Sequence, residues 1–318
     1  MKQVDWSKVL VHCSALYSIM PGKKVKTPMQ IFRDAVAFQE EKSRMYEKLK
    51  KKDGPRGEKL LAEMEELDIL IPKLEVAKDN DLPLSEGCKS FLSGLYAYEK
   101  YGKWSPAKDI GSRQTEKGKE VEVDGLNLVN ELDGLSLFKN EQRVIDSHFS
   151  GHPDAYEGED LAYATVIHDA KCPWDIETFF SYVGKPLPEV YYWQMQGYMA
   201  ITGAKQAQVH FCLITTPERF IKDTADRLLR NMNVVSPESP EYLKAEQELW
   251  NNMTFDDIPK SERRIKFIVD RNDEDIELAR KRVELCRIYL AEFENLHLNY
   301  DFTSSTREKE VDLMQNDA

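Results

Sequence analysis

The sequence has no closely spaced pair of cysteines. Its five, Cys13, Cys88, Cys172, Cys212 and Cys286, are odd in number and scattered. They neither frame a disulfide-rich domain nor supply a C-x-x-C motif, and they read as free thiols. No apolar run approaches the length that spans a bilayer, and residues 1–10 lack the charged-then-apolar layout of a secretory signal. A membrane role is therefore not expected, and a cytoplasmic location is. Net positive charge is also lacking, since 44 Lys/Arg face 56 Asp/Glu for a formal charge of -12. Taken as a total, that argues against a partner that is a polyanion.

The distribution of charge says something different. Residues 1–60 hold 14 Lys/Arg against 7 Asp/Glu, so the acidic excess belongs to the rest of the chain. Lys23, Lys24 and Lys26 form one basic cluster; Lys48, Lys50, Lys51, Lys52 and Arg56 form another around an Asp-Gly-Pro turn. Lys100, Lys103, Lys108, Arg113, Lys117 and Lys119 lead towards Glu122 and are the better candidates for meeting phosphates near an acidic centre.

At 318 residues and 41% hydrophobic, the chain can bury a substantial core as one large domain or two modest ones. Residues 1–109 read as a helical N-terminal region. In it, residues 28–51 and 57–78 form a helical hairpin, Pro72 kinks or ends the second helix, and residues 84–101 form another helix. Residues 110–220 alternate between periods. A helix is expected over 115–132, a short strand over 135–139, and two strands over 144–156 and 161–172 around the polar turn at 157–160. A helix over 190–203 closed by Gly203 and a buried strand over 207–216 complete the stretch. Residues 221–300 read as helices packed on that core, the last of them capped by Asn272, and residues 301–318 as a flexible tail.

The chemistry concentrates in the middle stretch. Along a strand, Asp169 and Lys171 share one face, and His168 points to the other. A facing Asp154 adds a second carboxylate, and such oxygen ligands suit Mg²⁺ or Mn²⁺. Lys171 is then near enough to orient or deprotonate a metal-bound water. A bare D-x-K is a weak signal until its context agrees. Here Glu122 precedes it on a helix, and Gln194 and Tyr198 follow it one turn apart on another. His152 and His168 are not expected to hold metal, since Mg²⁺ favours oxygen. Trp174 reads as a packing residue.

This order of motifs resembles the PD-(D/E)XK nuclease superfamily, in its branch of phage-type and YqaJ-like exonucleases related to lambda exonuclease and the RecB nuclease domain. The match runs over residues 110–220, with a weaker one at residues 11–20. The G-x-x-x-E motif is similar to Gly118 and Glu122, G-x-P-D to Gly151, Pro153 and Asp154, (D/E)-x-K to Asp169, Ala170 and Lys171, and Q-x-x-x-Y to Gln194 and Tyr198. Glu120 stands as an alternative to Glu122, and Asp160 to Asp154; Asp154 is preferred because Gly-x-Pro-Asp ends a strand.

The resemblance implies an α/β fold: a restriction-endonuclease-like core with a mixed central sheet flanked by helices, plus helical N- and C-terminal additions. It implies that Glu122, Asp154, Asp169 and the backbone carbonyl of Ala170 hold Mg²⁺, with Mn²⁺ able to substitute. Lys171 would align or activate water, while Gln194 and Tyr198 support the site and the strand being cut. The implied activity is a DNA exonuclease processing double-stranded ends for phage-type recombination in a bacterial or phage-infected cell, with a single-strand annealing protein as partner and a homo-oligomeric state. The alternatives are a structure-selective or restriction-type endonuclease, and a catalytically silent DNA-binding subunit. The cysteine spacing does not reproduce the iron–sulfur ligands of some RecB-like nucleases, so no cluster is expected. No G-x-x-x-x-G-K-[ST] loop is present, so this is not a fused helicase–nuclease.

Overall fold

The computed structural model describes residues 3–21, 28–49, 55–77, 84–103, 112–232 and 236–300. The tail at 301–318, Lys23, Lys24, Lys26, Lys50, Lys51, Lys52 and Lys108, and the side chains of Lys48 and Arg56, lie outside the described residues. The chain divides into two compact units, Met20–Lys89 and Met1–Ile19 with Ser90–Ala318.

The smaller unit holds the expected helical pair, α1 (Pro28–Leu49) and α2 (Pro55–Ala77). Each opens on a proline, whose fixed φ and missing N–H suit a first turn. Ala35, Leu60 and Leu67 are buried, and Lys42 with Glu63 and Gln39 with Asp68 link the helices at their margin. Pro72 does not end α2, which continues to Ala77.

The larger unit begins with a 3-10 turn, Trp6–Lys8, followed by β1 (Val11–His12) and a second 3-10 turn, Cys13–Ser18. Then come α3 (Glu86–Tyr101), which belongs to this unit from Ser90 on, α4 (Arg113–Glu120), α5 (Glu122–Asp133), β2 (Val144–Ile145), β3 (Phe149–Gly151), β4 (Ala155–Glu157) and β5 (Val166–Lys171). The rest is α6 (Ile176–Phe180), α7 (Glu189–Thr202), β6 (Gln206–Cys212), α8 (Glu218–Asn231), α9 (Pro240–Met253), β7 (Arg264–Asp270) and α10 (Asp273–Leu298).

The main sheet has the order β4-β5-β6-β7: β5 is antiparallel to β4 and parallel to β6, and β7 is antiparallel to β6. This is the mixed sheet with flanking helices that the motif order implies. A parallel β5–β6 pair requires a crossover, which α7 supplies. Alternation sends His168, Ala170 and Cys172 to one face, where Leu126 and Val129 of α5 close over Ala170, Cys172 and Cys212. Burying each of those two side chains contributes about 1.5–3 kcal/mol. Gly125 lets α5 come this near, because a Cβ there would lie 3.0 Å from Cys172 Sγ. On α10, Arg282 Nε donates to Ile19 O at 2.9 Å and Arg287 Nε to Val9 O at 3.0 Å, tying down the N-terminal segment. Asn272 caps α10 as expected, its Oδ1 accepting from Glu274 N and Asp275 N.

Several elements differ from the sequence expectation. The helix over 115–132 is two helices, broken at Val121, which ends α4 and opens α5. The strand over 144–156 is three short pieces, and β2 and β3 belong to a second sheet, β1-β3-β2. Pro153 interrupts it, having no N–H for a ladder, and only β4 pairs with β5 as the expected hairpin. Residues 135–139 are not a strand; Asn130 bonds both the N–H and the C=O of Leu137, doing what a neighbouring strand would do. Residues 221–300 are not helical throughout, since β7 lies among them as an edge of the main sheet.

Candidate active site

Asp169 and Lys171 turn to the face of β5 that meets α7. Asp169 is 1% exposed. Its Oδ2 lies 2.6 Å from Lys171 Nζ in a close ion pair. Oδ1 accepts from Gln194 Nε2 at 3.3 Å, and the same amide donates to the Tyr198 hydroxyl at 3.0 Å. Asp154 precedes β4, and extending the Ala155–His168 register by one residue sets it opposite Asp169. Its Oδ2 accepts the Ala170 N–H at 2.8 Å.

Burial, and then the neighbouring Asp169 carboxylate, hold the Asp154 pKa well above the usual carboxylate range; Glu122 adds to the effect and Lys171 opposes it. Burial alone would lower the Lys171 pKa, but Asp169 and Asp154 outweigh it and push it up. Tyr198 is raised by burial and then by Asp169.

Glu122 stands in the first turn of α5, where the helix dipole favours a carboxylate. Lys139 Nζ is 3.4 Å from its Oε1. Its link to the two aspartates is through its field on Asp154, and no three His, Cys, Asp or Glu among the described residues are already gathered as a metal-ligand set. The two alternative acids lie elsewhere. Glu120 pairs with Arg219 at the end of α4, and Asp160 caps the 3-10 turn Leu161–Tyr163 by accepting from Ala162 N at 2.9 Å.

The glycine and aromatic positions have steric reasons. At Gly151 a Cβ would sit 2.7 Å from Tyr198 Cε1 and 2.8 Å from Cys13 Sγ, so the glycine of G-x-P-D makes room for the tyrosine of Q-x-x-x-Y. Gly197 admits Leu16 and Cys13 of the N-terminal turn in the same way. Gly118 has open space around it, so close packing does not explain its place in G-x-x-x-E. His168 points away from Asp169 as alternation requires, bonding His210 at 3.1 Å and Glu157 at 2.9 Å. Trp174 packs edge-on against Phe220.

Three of the six cations expected to meet phosphates are used internally. Lys100 pairs with Glu294, and Arg113 with Asp223. Lys117 is fully buried, donating to Pro173 O at 2.7 Å and Trp174 O at 3.1 Å, and burial lowers its pKa to about 8. Lys103 and Lys119 are exposed. The sequence reading missed Lys139, whose place beside Glu122 depends on an irregular segment without a periodic signal. It also missed Tyr191, whose ring lies under Lys171 Nζ, 5.3 Å from the centroid. That one was accessible, being three residues before Gln194 on the same helix.

No protein-family model and no curated protein matches the sequence. Among solved structures, a phage-related exonuclease from Haemophilus somnus 129PT matches at 21% identity with a TM-score of 0.57, covering 91% of this chain and 97% of that one. An alkaline exonuclease from Laribacter hongkongensis matches at 17% identity with a TM-score of 0.46, covering 68% of this chain and 87% of that one. The chain shares the fold of the phage-related exonuclease, the branch its motifs resemble.

Proposed function

We propose that this chain is a metal-dependent deoxyribonuclease that digests duplex DNA from its ends. The observation that carries the reading is the meeting, on one sheet face, of Asp154, Asp169, Lys171 and Gln194, residues of three separate motifs. A likeness of fold to a protein named as an exonuclease supports the end-directed mode.

The residues fit a hard divalent cation. Their donors are carboxylate oxygens, the hard ligands such an ion prefers, and Asp154 and Asp169 stand opposite each other across β4 and β5. Glu122, Asp154, Asp169 and the Ala170 carbonyl would hold Mg²⁺, which when bound supplies an activated water and neutralises charge building on the phosphate. The chain's own groups do the rest. The Lys171 ammonium orients the attacking water and faces the developing negative charge. Gln194 fixes the Asp169 carboxylate through its amide, and Tyr198 fixes Gln194. Lys139 restrains Glu122, and the exposed Lys103 and Lys119 are available to phosphates. In this reading the protein prepares DNA ends for recombination beside a single-strand annealing partner, as the motif resemblance implies.

The test is to incubate linear and covalently closed circular duplex DNA with wild type and Asp169→Ala, with Mg²⁺ and then with EDTA. Digestion of linear DNA by wild type in Mg²⁺ alone is expected. Equal digestion by the variant would sink the assignment, and cutting of the closed circle would make the protein an endonuclease.

A further inference from the structure

We propose that Tyr191 is a positioning residue of this site, its ring face holding the Lys171 ammonium beside Asp169. The catalytic consequence rests on the nuclease reading above; the geometry does not. Residues 191, 194 and 198 fall at i, i+3 and i+7 of α7 and form one stripe. Each meets a different part of the site: Tyr198 packs against Gly151, Gln194 donates to Asp169, and Tyr191 lies under Lys171. The Q-x-x-x-Y pattern is thus the later part of Y-x-x-Q-x-x-x-Y, read along the helix.

The ring is held from behind by the sheet. Tyr191 meets the buried Phe211 of β6 edge-on, with centroids 5.5 Å apart at 74°. Tyr182 stacks on the same Phe211 at 3.9 Å, and Phe267 of β7 meets Phe211 edge-on at 5.7 Å. None of these rings belongs to the acid cluster. The Lys171 stem is long and its ammonium is a compact point charge, so contact with the Asp169 carboxylate does not by itself fix its direction. A ring face within about 6 Å attracts the ammonium from the other side. Because the ring is neutral, it orients the cation without competing for a metal at the carboxylates, as a second acid would.

The full chain is used for the test, as wild type, Tyr191→Phe, Tyr191→Leu and Lys171→Met. In metal-free protein carrying ¹³C at the lysine ε-carbons, Lys171→Met assigns one signal. That signal is expected upfield of the other lysines from the ring current, unchanged in Tyr191→Phe and moved to the bulk position in Tyr191→Leu. With Mg²⁺ and linear duplex DNA, Tyr191→Leu is expected to lower kcat about tenfold with KM within about twofold, the effect of losing a partly desolvated cation–π contact, while Tyr191→Phe stays within about twofold of wild type. Tyr191→Met replaces the leucine variant if that one unfolds. An unshifted Lys171 signal in wild type, its persistence without the ring, or an unchanged kcat in an active enzyme overturns the proposal. If wild type cuts no DNA, the nuclease reading fails by itself, and the Lys171 signal still decides whether Tyr191 holds the ammonium.

Discussion

On the α7 side of the main sheet, β5 presents Asp169 and Lys171; on the α5 side the same strand presents His168 and Ala170, with Cys172 just past its end. The α7 side keeps one charge pair in the interior, the Lys171 ammonium against the Asp169 carboxylate, while burial raises the pKa of Asp154 beside it. On the α5 side burial suppresses charge. It lowers the pKa of His168 and takes that of His210 down to about 3, while pushing the Cys172 thiol up and Cys212 to about 12. Burying a charge is costly unless a partner compensates it. Alternate residues of one strand therefore separate a face that holds an ion pair, the reacting face on the proposed reading, from a face that holds the fold.

The largest effect should come from Asp169→Asn, which keeps shape and removes charge from the α7 side. Metal-dependent DNA cleavage is expected to fall at least about a thousandfold, the scale of losing preorganised electrostatics in a buried site. The protein should stay folded, because the Lys171 side chain is 25% exposed and can turn to water. Loss of folding together with activity, seen by circular dichroism, would mean that the α7 face is structural as well and would erase the contrast.

A pair of glycine substitutions sharpens it. Gly151→Ala puts a methyl 2.7 Å from Tyr198 Cε1. The tyrosine and its partner Gln194 must shift, with an expected cost of about 1–3 kcal/mol in stability and about 100-fold in kcat. Gly125→Val intrudes on Cys172 and Ala170 from the α5 side. It should cost about 2 kcal/mol in urea unfolding while the folded fraction keeps wild-type kcat. A fall in kcat for Gly125→Val matching that of Gly151→Ala would show that the faces are not independent.

Acid reads the α5 side most strongly through His210, with His168 shifted in the same direction. Its folded pKa is depressed, so above the ordinary value of 6.5 the group is neutral folded or unfolded and costs nothing. As pH falls from 6.5 towards 3, the unfolded chain takes up a proton that the folded one refuses, and stability drops by up to about 1.4 kcal/mol per pH unit. His210→Asn should flatten the dependence of unfolding free energy on pH between 7 and 5. Identical slopes in wild type and variant would show that His210 takes up its proton without opposing the fold.

Much of this was legible because strand alternation is strict. The two-residue spacing of Asp169 and Lys171 decides their common face, and the opposite orientation of His168 follows. Helix spacing likewise placed Gln194 and Tyr198 together. What could not be read depends on tertiary packing: Asn130 satisfying Leu137, Lys139 reaching Glu122, Lys117 entering the core. β7 is a different case. Ile265, Phe267 and Val269 alternate with Arg264, Lys266, Ile268 and Asp270, a strand signal that an expectation of helices over 221–300 passes over.

The smallest expected effect tests the break at Val121. Glu120 and Glu122 are two residues apart, and in one continuous helix they would lie about 200° apart around the axis. The break gives them different partners. Glu120 ends α4, exposed and paired with Arg219, whereas Glu122 begins α5 and its field reaches Asp154. Glu120→Gln loses only a surface ion pair, with an expected change of less than about 1 kcal/mol in stability and none in cleavage. Glu122→Gln, the same change two residues on, should lose most cleavage with little change in stability. If Glu120→Gln abolished cleavage and Glu122→Gln spared it, the acid of the first motif would belong to the end of α4, and the chain would have to turn differently at Val121 when substrate is bound.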